Sequence, residues 1–273
     1  MYWLLFLGLL GVGGWIASPG LTGRSPVRTT IGLVVVVATL LLVVLLSLWG
    51  ELLWFEAIGY EGRFWRMLGA VAGSTLLFAV LGAGGARLLC ASLLPRESRW
   101  IRRWTVWLSA LTAGAIGLAS WERLLLFLFG VETGVVDPML GRDTAFYLCV
   151  LPFIDRLFAL LVSVAFFPVA AAGLTLLEPV QEPVIPLRAE ISSRRLSLAA
   201  LVVAVVGALG LWLARYHLLY STWGVVAGPG WTDVHVRLPA YWVVALGTIV
   251  LAAAPQLPWL ARGLRPAFDG SVN

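Results

Sequence analysis

Residues 31–50, IGLVVVVATLLLVVLLSLWG, are uninterrupted by any charge. A helix rises about 1.5 Å per residue, so about 20 such residues cross about 30 Å of hydrocarbon. In lipid no backbone N–H or C=O can stay unpaired, which leaves a continuous run of this kind one conformation, the helix. Outward from it the pattern repeats. Residues 67–86 end at Arg87, 104–120 stop before Glu122, 157–177 stop at Glu178, and 196–214 and 241–257 follow the same rule. Residues 1–17 are apolar too but lack the basic start of a secretory leader, and Arg24 and Arg28 follow them, so they read as a span rather than a cleaved signal. The expected fold is all-α: a polytopic transmembrane helix bundle of about seven spans.

Composition agrees. Of 273 residues 60% are hydrophobic and 12% charged, and the mean hydropathy is +0.94, whereas a soluble domain carries about a quarter charged residues. The chain has no Lys, so its net charge of +5 comes from 19 Arg against 14 acidic residues. Those Arg are scattered beside apolar runs and form no basic stripe, which excludes a nucleic-acid partner. Cys90 and Cys149 are the two cysteines and make no CxxC, so neither a thiolate zinc site nor a disulfide framework has ligands.

Cytoplasmic loops keep the excess of positive residues. The set holding Arg24, Arg28, Arg87, Arg96, Arg99, Arg102, Arg103, Arg188, Arg194, Arg195, Arg262 and Arg265 has 12 Arg, against 7 in the alternate loops. That places the amino end outside and the carboxyl end in the cytoplasm of a bacterial inner membrane, with residues 1–30 as an extra span and short loop, 31–262 as the bundle and 263–273 as a cytoplasmic tail. Trp49, Trp54, Trp65, Trp100, Trp104, Trp121, Trp231, Trp242 and Trp259 sit near span ends, where an indole rests at headgroup level. Gly69 with Gly73, then Gly82, Gly84 and Gly85, and Ala113 with Gly117, offer small faces for helix approach, although the stronger reading is that Gly and Ala are simply common in such spans. Pro168 is expected to kink the span holding it.

Three outer segments carry most of the detail: 51–65 (ELLWFEAIGYEGRFW), 129–152 (FGVETGVVDPMLGRDTAFYLCVLP) and 214–241 (ARYHLLYSTWGVVAGPGWTDVHVRLPAY). Their motif residues are Trp54, Phe55, Glu56 and Tyr60, then Asp137, Pro138, Gly141, Arg142, Asp143 and Tyr147, then Arg215, Tyr216, Tyr220, Thr232, Asp233, His235 and Pro239. In this order, over about residues 31–255, they resemble the bacterial multi-pass membrane proteins of uncharacterised protein family 0182. The resemblance implies that these motifs lie on the outer side of the membrane, and it implies no reaction. Family members continue into a large extracytoplasmic domain that this chain, stopping at Asn273, does not contain. A separately encoded counterpart and a fragment are both open readings. Residues 1–17 look like an addition, Thr144 and Ala145 stand where the family favours Ile-Ser, and Trp231 stands where Tyr is usual.

Among candidate chemical residues, Asp233 and His235 are two apart in a Gly- and Pro-punctuated segment, which predicts extended backbone with both side chains on one side. With His217, Asp137 and Asp143 they would make a mixed N/O metal site. The plainer alternative has them holding the turn before the last span. Asp137 and Pro138 read as a turn start, and Asp143 as a cap on the helix that follows. Asp155 and Arg156 lie near an outer span end and call for a salt bridge with another outer charge. Glu51 and Glu56 read as a helix emerging into headgroups, and 121–130 (WERLLLFLFG) as a helix lying in the interface. No Walker motif, HExxH, nucleophile elbow or dinucleotide fingerprint is present in the sequence. The first functional reading is therefore a non-enzymatic membrane module, bound to the bilayer and needing no cofactor, whose outer loops dock another envelope protein, soluble domain or complex subunit. A transporter or channel, and a metal-assisted hydrolase on an envelope substrate, are the alternatives.

Overall fold

Apolar sequence at the amino end forms α1 (Tyr2–Leu21) and α2 (Pro26–Ala57), with Pro26 at a first helical position where its missing N–H costs nothing. The computed structural model describes residues 2–21, 26–176, 186–220 and 228–256. It divides into two compact units, Met1–Gly69 and Ala70–Asn273. In the first, α1 and α2 meet through small residues. A Cβ on Gly32 would lie 2.5 Å from the Ala17 nitrogen and 2.6 Å from the Gly13 oxygen, so only glycine allows that approach. Thr39, buried in α2, donates its hydroxyl to the Val35 carbonyl. The start of α3 (Glu61–Leu93) also belongs to this unit.

The second unit holds the rest of α3, then α4 (Arg99–Leu118), α5 (Trp121–Phe129), α6 (Leu151–Leu176), α7 (Pro186–His217) and α8 (Leu238–Ala253). Its core is three buried clusters. Phe78, Ala113, Phe153, Leu160 and Val164 join α3, α4 and α6. Cys90, Leu93, Leu94, Ala171, Ala172 and Ala199 gather the end of α3, the end of α6 and the first half of α7. Tyr147, Leu151, Leu213 and Tyr216 close the opposite end of the α6–α7 pair. Helices α3 and α4 cross where a Cβ on Gly117 would stand 2.5 Å from the Ser74 oxygen, and there the buried Ser74 hydroxyl donates to the Gly117 carbonyl at 3.0 Å. Gly82 abuts Ser109 and Ala113 in the same crossing, and Gly85 faces Val164 of α6. Gly69, Gly73 and Gly84 have open space where a side chain would be, so of the glycines weighed as packing faces only Gly82, Gly85 and Gly117 serve as such, and the plainer reading holds for the other three.

Over their described parts the seven apolar runs fall on helices, save Ala119 and Ser120 of the run 104–120, which make the bend between α4 and α5. Among the described residues five helices are long and apolar enough to cross a membrane, and a sixth results if α4 and α5, bent by 59°, count as one crossing. The apolar stretch of α1, Leu5–Ser18, is shorter. α5 is a separate short helix, as the sequence suggested. Pro168 is fully buried inside an α6 that continues on both sides of it. Arg24, Arg262, Arg265, Trp259 and the 263–273 tail lie outside the described residues.

Two wide turns, not foreseen from the sequence, precede α6 and α8. Phe146–Val150 and Asp233–Arg237 are π-helical: the Leu151 N–H reaches back to the Phe146 carbonyl, and the Leu238 N–H to that of Asp233. Each is followed by Leu-Pro, Leu151-Pro152 and Leu238-Pro239. Proline removes a donor and its ring crowds the carbonyl four residues back, and a turn of larger bore accommodates that ring.

Candidate functional site

The first motif is a helix ending. At the end of α2 the Tyr60 N–H donates to the Phe55 carbonyl (2.8 Å) and the Gly59 N–H to that of Glu56 (3.0 Å), while Gly59 takes φ +74°. This is a Schellman cap, and its left-handed residue explains the glycine in FEAIGY. Phe55 lies 4.9 Å from Trp54 and 6.0 Å from the buried Phe64, centroid to centroid. These residues all belong to the first unit.

The second motif folds into a small hairpin held by its own carboxylates. Asp137 accepts from Met139 N (3.2 Å), Leu140 N (2.8 Å) and the Tyr147 hydroxyl (3.1 Å), and its backbone carbonyl accepts from Gly141 N. Pro138 fits the first turn position, where no N–H is required, and Gly141 takes φ +65°. Asp143 gathers four donors: Ala145 N (2.6 Å), Gly134 N (2.8 Å), the Thr133 hydroxyl (2.8 Å) and Thr133 N (3.2 Å). The amide of Ala145 foremost, then the Thr133 hydroxyl, hold the Asp143 carboxyl below its ordinary 3.8. It caps the following helix as the sequence indicated, and it also ties the two hairpin arms together, a role that Thr133, ten residues away, gave no local signal for. Gly130 lets the end of α5 approach Cys149, since a Cβ there would lie 2.8 Å from the Cys149 Cβ. Both cysteines are free.

The second and third motifs converge on an aromatic cluster in the second unit. Tyr216, buried, lies 5.1 Å from Phe146 and 6.5 Å from Tyr147, and the Tyr220 hydroxyl donates to the Tyr147 carbonyl at 3.3 Å. Arg215 rides on these rings, 4.5 Å from Trp212, 4.6 Å from Tyr216 and 5.5 Å from Trp242 of α8. Its Nη2 donates to the Tyr216 hydroxyl at 2.6 Å, and its Nε is buried with no hydrogen-bond partner. Trp242, read in the sequence as a membrane anchor, thus also shields a cation. Arg142 lies 5.5 Å from the Phe146 ring. Asp155 Oδ1 lies 3.0 Å from His217 Nε2 on α7, whereas Arg156 makes no ion pair among the described residues. Residues 221–227 of the third motif lie outside the described residues.

The extended backbone expected at Asp233 and His235 is corrected. Thr232 already has helical angles and Asp233–Arg237 is the wide turn before α8, with Pro239 in the first turn of that helix. Two residues apart on a helix point to different sides. Asp233 instead pairs with Arg237 (2.9 Å) and accepts from Gly230 N (3.0 Å). His235 stacks on Trp231, centroids 4.5 Å apart, with Nδ1 3.0 Å from the Trp231 carbonyl oxygen. Among the described residues no three His, Cys, Asp or Glu side chains come together as a metal site would require, so the set of Asp137, Asp143, His217, Asp233 and His235 is not assembled. The carboxylates of Asp137 and Asp143, occupied by loop donors, act as braces. What the arrangement offers chemically is a stiff hairpin with apolar tips beside ring-stacked guanidinium groups.

The family model described as Uncharacterised protein family (UPF0182) matches residues 86–270. The UPF0182 protein of Corynebacterium jeikeium (strain K411) is 28% identical over 283 residues, covering 91% of this chain and 27% of that protein. That of Pelobacter propionicus (strain DSM 2379 / NBRC 103807 / OttBd1) is 32% identical, covering 78% of this chain and 27% of its own length. That of Salinibacter ruber (strain DSM 13855 / M31) is 31% identical over 86% of this chain and 28% of its own. The chain therefore spans little more than a quarter of the length of these relatives. No solved structure matches it.

Proposed function

Since this chain belongs to the uncharacterised protein family UPF0182, we propose that it is a non-enzymatic module of the bacterial inner membrane whose outer-face loops dock another envelope protein or subunit. The observation that supports this most is the braced hairpin of the second motif. Two carboxylates and two positive-φ glycines hold its backbone, while its apolar side chains face outward: Val131 is 80% exposed, Val135 63% and Met139 44%. A rigid loop presenting apolar side chains loses little entropy on binding, which is how a preorganised docking surface works. In this reading the chain crosses the membrane seven times, amino end outside, with all three motifs on the outer face and α5 lying in the interface.

The test is affinity purification of the tagged full chain in mild detergent from its own host, beside a Val131→Asp, Val135→Asp double variant. The expected result is an envelope protein retained by the wild type and lost from the variant at unchanged expression. Identical sets of copurifying proteins would overturn the reading.

A further inference from the structure

Four carboxylates in and beside the second and third motifs are engaged, Asp155 with His217, Asp233 with Arg237, and Asp137 and Asp143 with loop donors, and Glu132 makes no ion pair among the described residues. Arg142, Arg156 and Arg215 make no ion pair among the described residues, and two of them, Arg142 and Arg215, also lie on aromatic rings. Those two are linked through the rings. Arg142 lies on Phe146, Arg215 on Tyr216, and those two rings are 5.1 Å apart. Arg215 follows directly on the uncharged run 196–214, in the last turn of α7, so its depth is the edge of the hydrocarbon. Trp212, Tyr216 and Trp242 cover the guanidinium, and stacking of that kind leaves only the edge N–H groups to bond. Planar N–H edges with uncompensated charge match phosphate oxygens.

We propose that Arg215 and Arg142 form a binding site for a phosphate group, which at this depth the headgroup of an anionic phospholipid supplies. The aromatic cluster holds the two cations in place before the ligand arrives. The site rests on the membrane placement proposed above but needs no partner on the hairpin that carries Arg142, so loss of a protein partner leaves it standing.

The test uses the full chain in nanodiscs of phosphatidylcholine and of a phosphatidylcholine–phosphatidylglycerol mixture, with retained lipid counted by native mass spectrometry. The wild type is expected to retain phosphatidylglycerol in preference to phosphatidylcholine. Arg142→Gln and Arg215→Gln are each expected to lower that preference about five-fold, the effect of one cation at a charged surface. Arg66→Gln, whose Nε donates to the Gly62 carbonyl in the first unit, serves as the control and should retain it. In the second arm, inorganic phosphate is titrated into the detergent-solubilised chain while tryptophan emission is followed. A response lost in Arg215→Gln, without lipid preference, assigns the phosphate to a soluble source. Unchanged phosphatidylglycerol retention in both variants, or binding of neither probe, overturns the proposal. Because Arg142 is exposed on a loop, its variant stays informative if Arg215→Gln fails to fold.

Discussion

Asp143 accepts four hydrogen bonds only while ionised, so the closure of the hairpin is linked to its charge. Its folded value lies below 3.8, chiefly because the Ala145 amide favours the carboxylate. A depressed carboxyl contributes its stability in full above the unfolded value and loses it as pH falls through the folded one. Amide-exchange protection at Gly134 and Ala145 should therefore be steady at neutral pH and fall away below 3.8. In Asp143→Asn that protection should be low throughout and free of this pH dependence, and a wild-type-like profile for the variant would count against the bracing role. The pair Arg215 and Trp242 teaches a related point. Trp212 and Tyr216 are near neighbours of Arg215 in sequence, so part of its ring cage was legible there, whereas Trp242 reaches it from another helix and read only as an anchor.

At the scale of elements, the contact between α3 and α4 depends on missing side chains. Gly117→Ala would drive a Cβ to 2.5 Å from the Ser74 oxygen and 2.9 Å from the Phe78 Cβ, where backbone cannot yield. Overpacking of this kind costs about 1–3 kcal/mol. Gly69→Ala and Gly73→Ala meet nothing within 4 Å, and each should stay within about 1 kcal/mol of the parent, the helix-propensity difference favouring alanine. Thermal unfolding in detergent would read both, and equal shifts for Gly117→Ala and Gly69→Ala would contradict the crossing. Which glycines matter was not readable from the sequence. Gly69 and Gly73 have the same spacing as many packing pairs, and only the crossing point of two helices decides. The apolar runs themselves were legible, because hydrocarbon thickness fixes their length and lipid forbids unpaired backbone. The backbone before the last span was misread for a local reason. Gly228, Pro229, Gly230 and Pro239 suggested an open chain, yet Pro239 sits in the first turn of α8 and the wide turn ahead of it keeps the segment helical.

For the whole molecule, exposed leucines and valines on long helices, such as Leu41 at 57% and Leu45 at 61% on α2, are the surface that lipid would cover in the proposed placement. The proposed seven-crossing arrangement puts residues 131–143 outside and the Arg-rich 96–103 segment in the cytoplasm. In a Cys90→Ala, Cys149→Ala background, Val131→Cys should react with a membrane-impermeant maleimide in intact cells, and Glu97→Cys only after permeabilisation. Labelling of both positions from one side would refute the arrangement. Each wide turn, meanwhile, stores one surplus residue between the segment before it and the helix it enters. Removing a residue from either would restore ordinary winding and swing everything upstream by about 100° around the helix axis. In the proposed placement the pair act as swivels at the bilayer rim: the one before α8 sets the aim of the exposed Trp231, while the one before α6 turns Tyr147 into the buried cluster with Leu151, Leu213 and Tyr216.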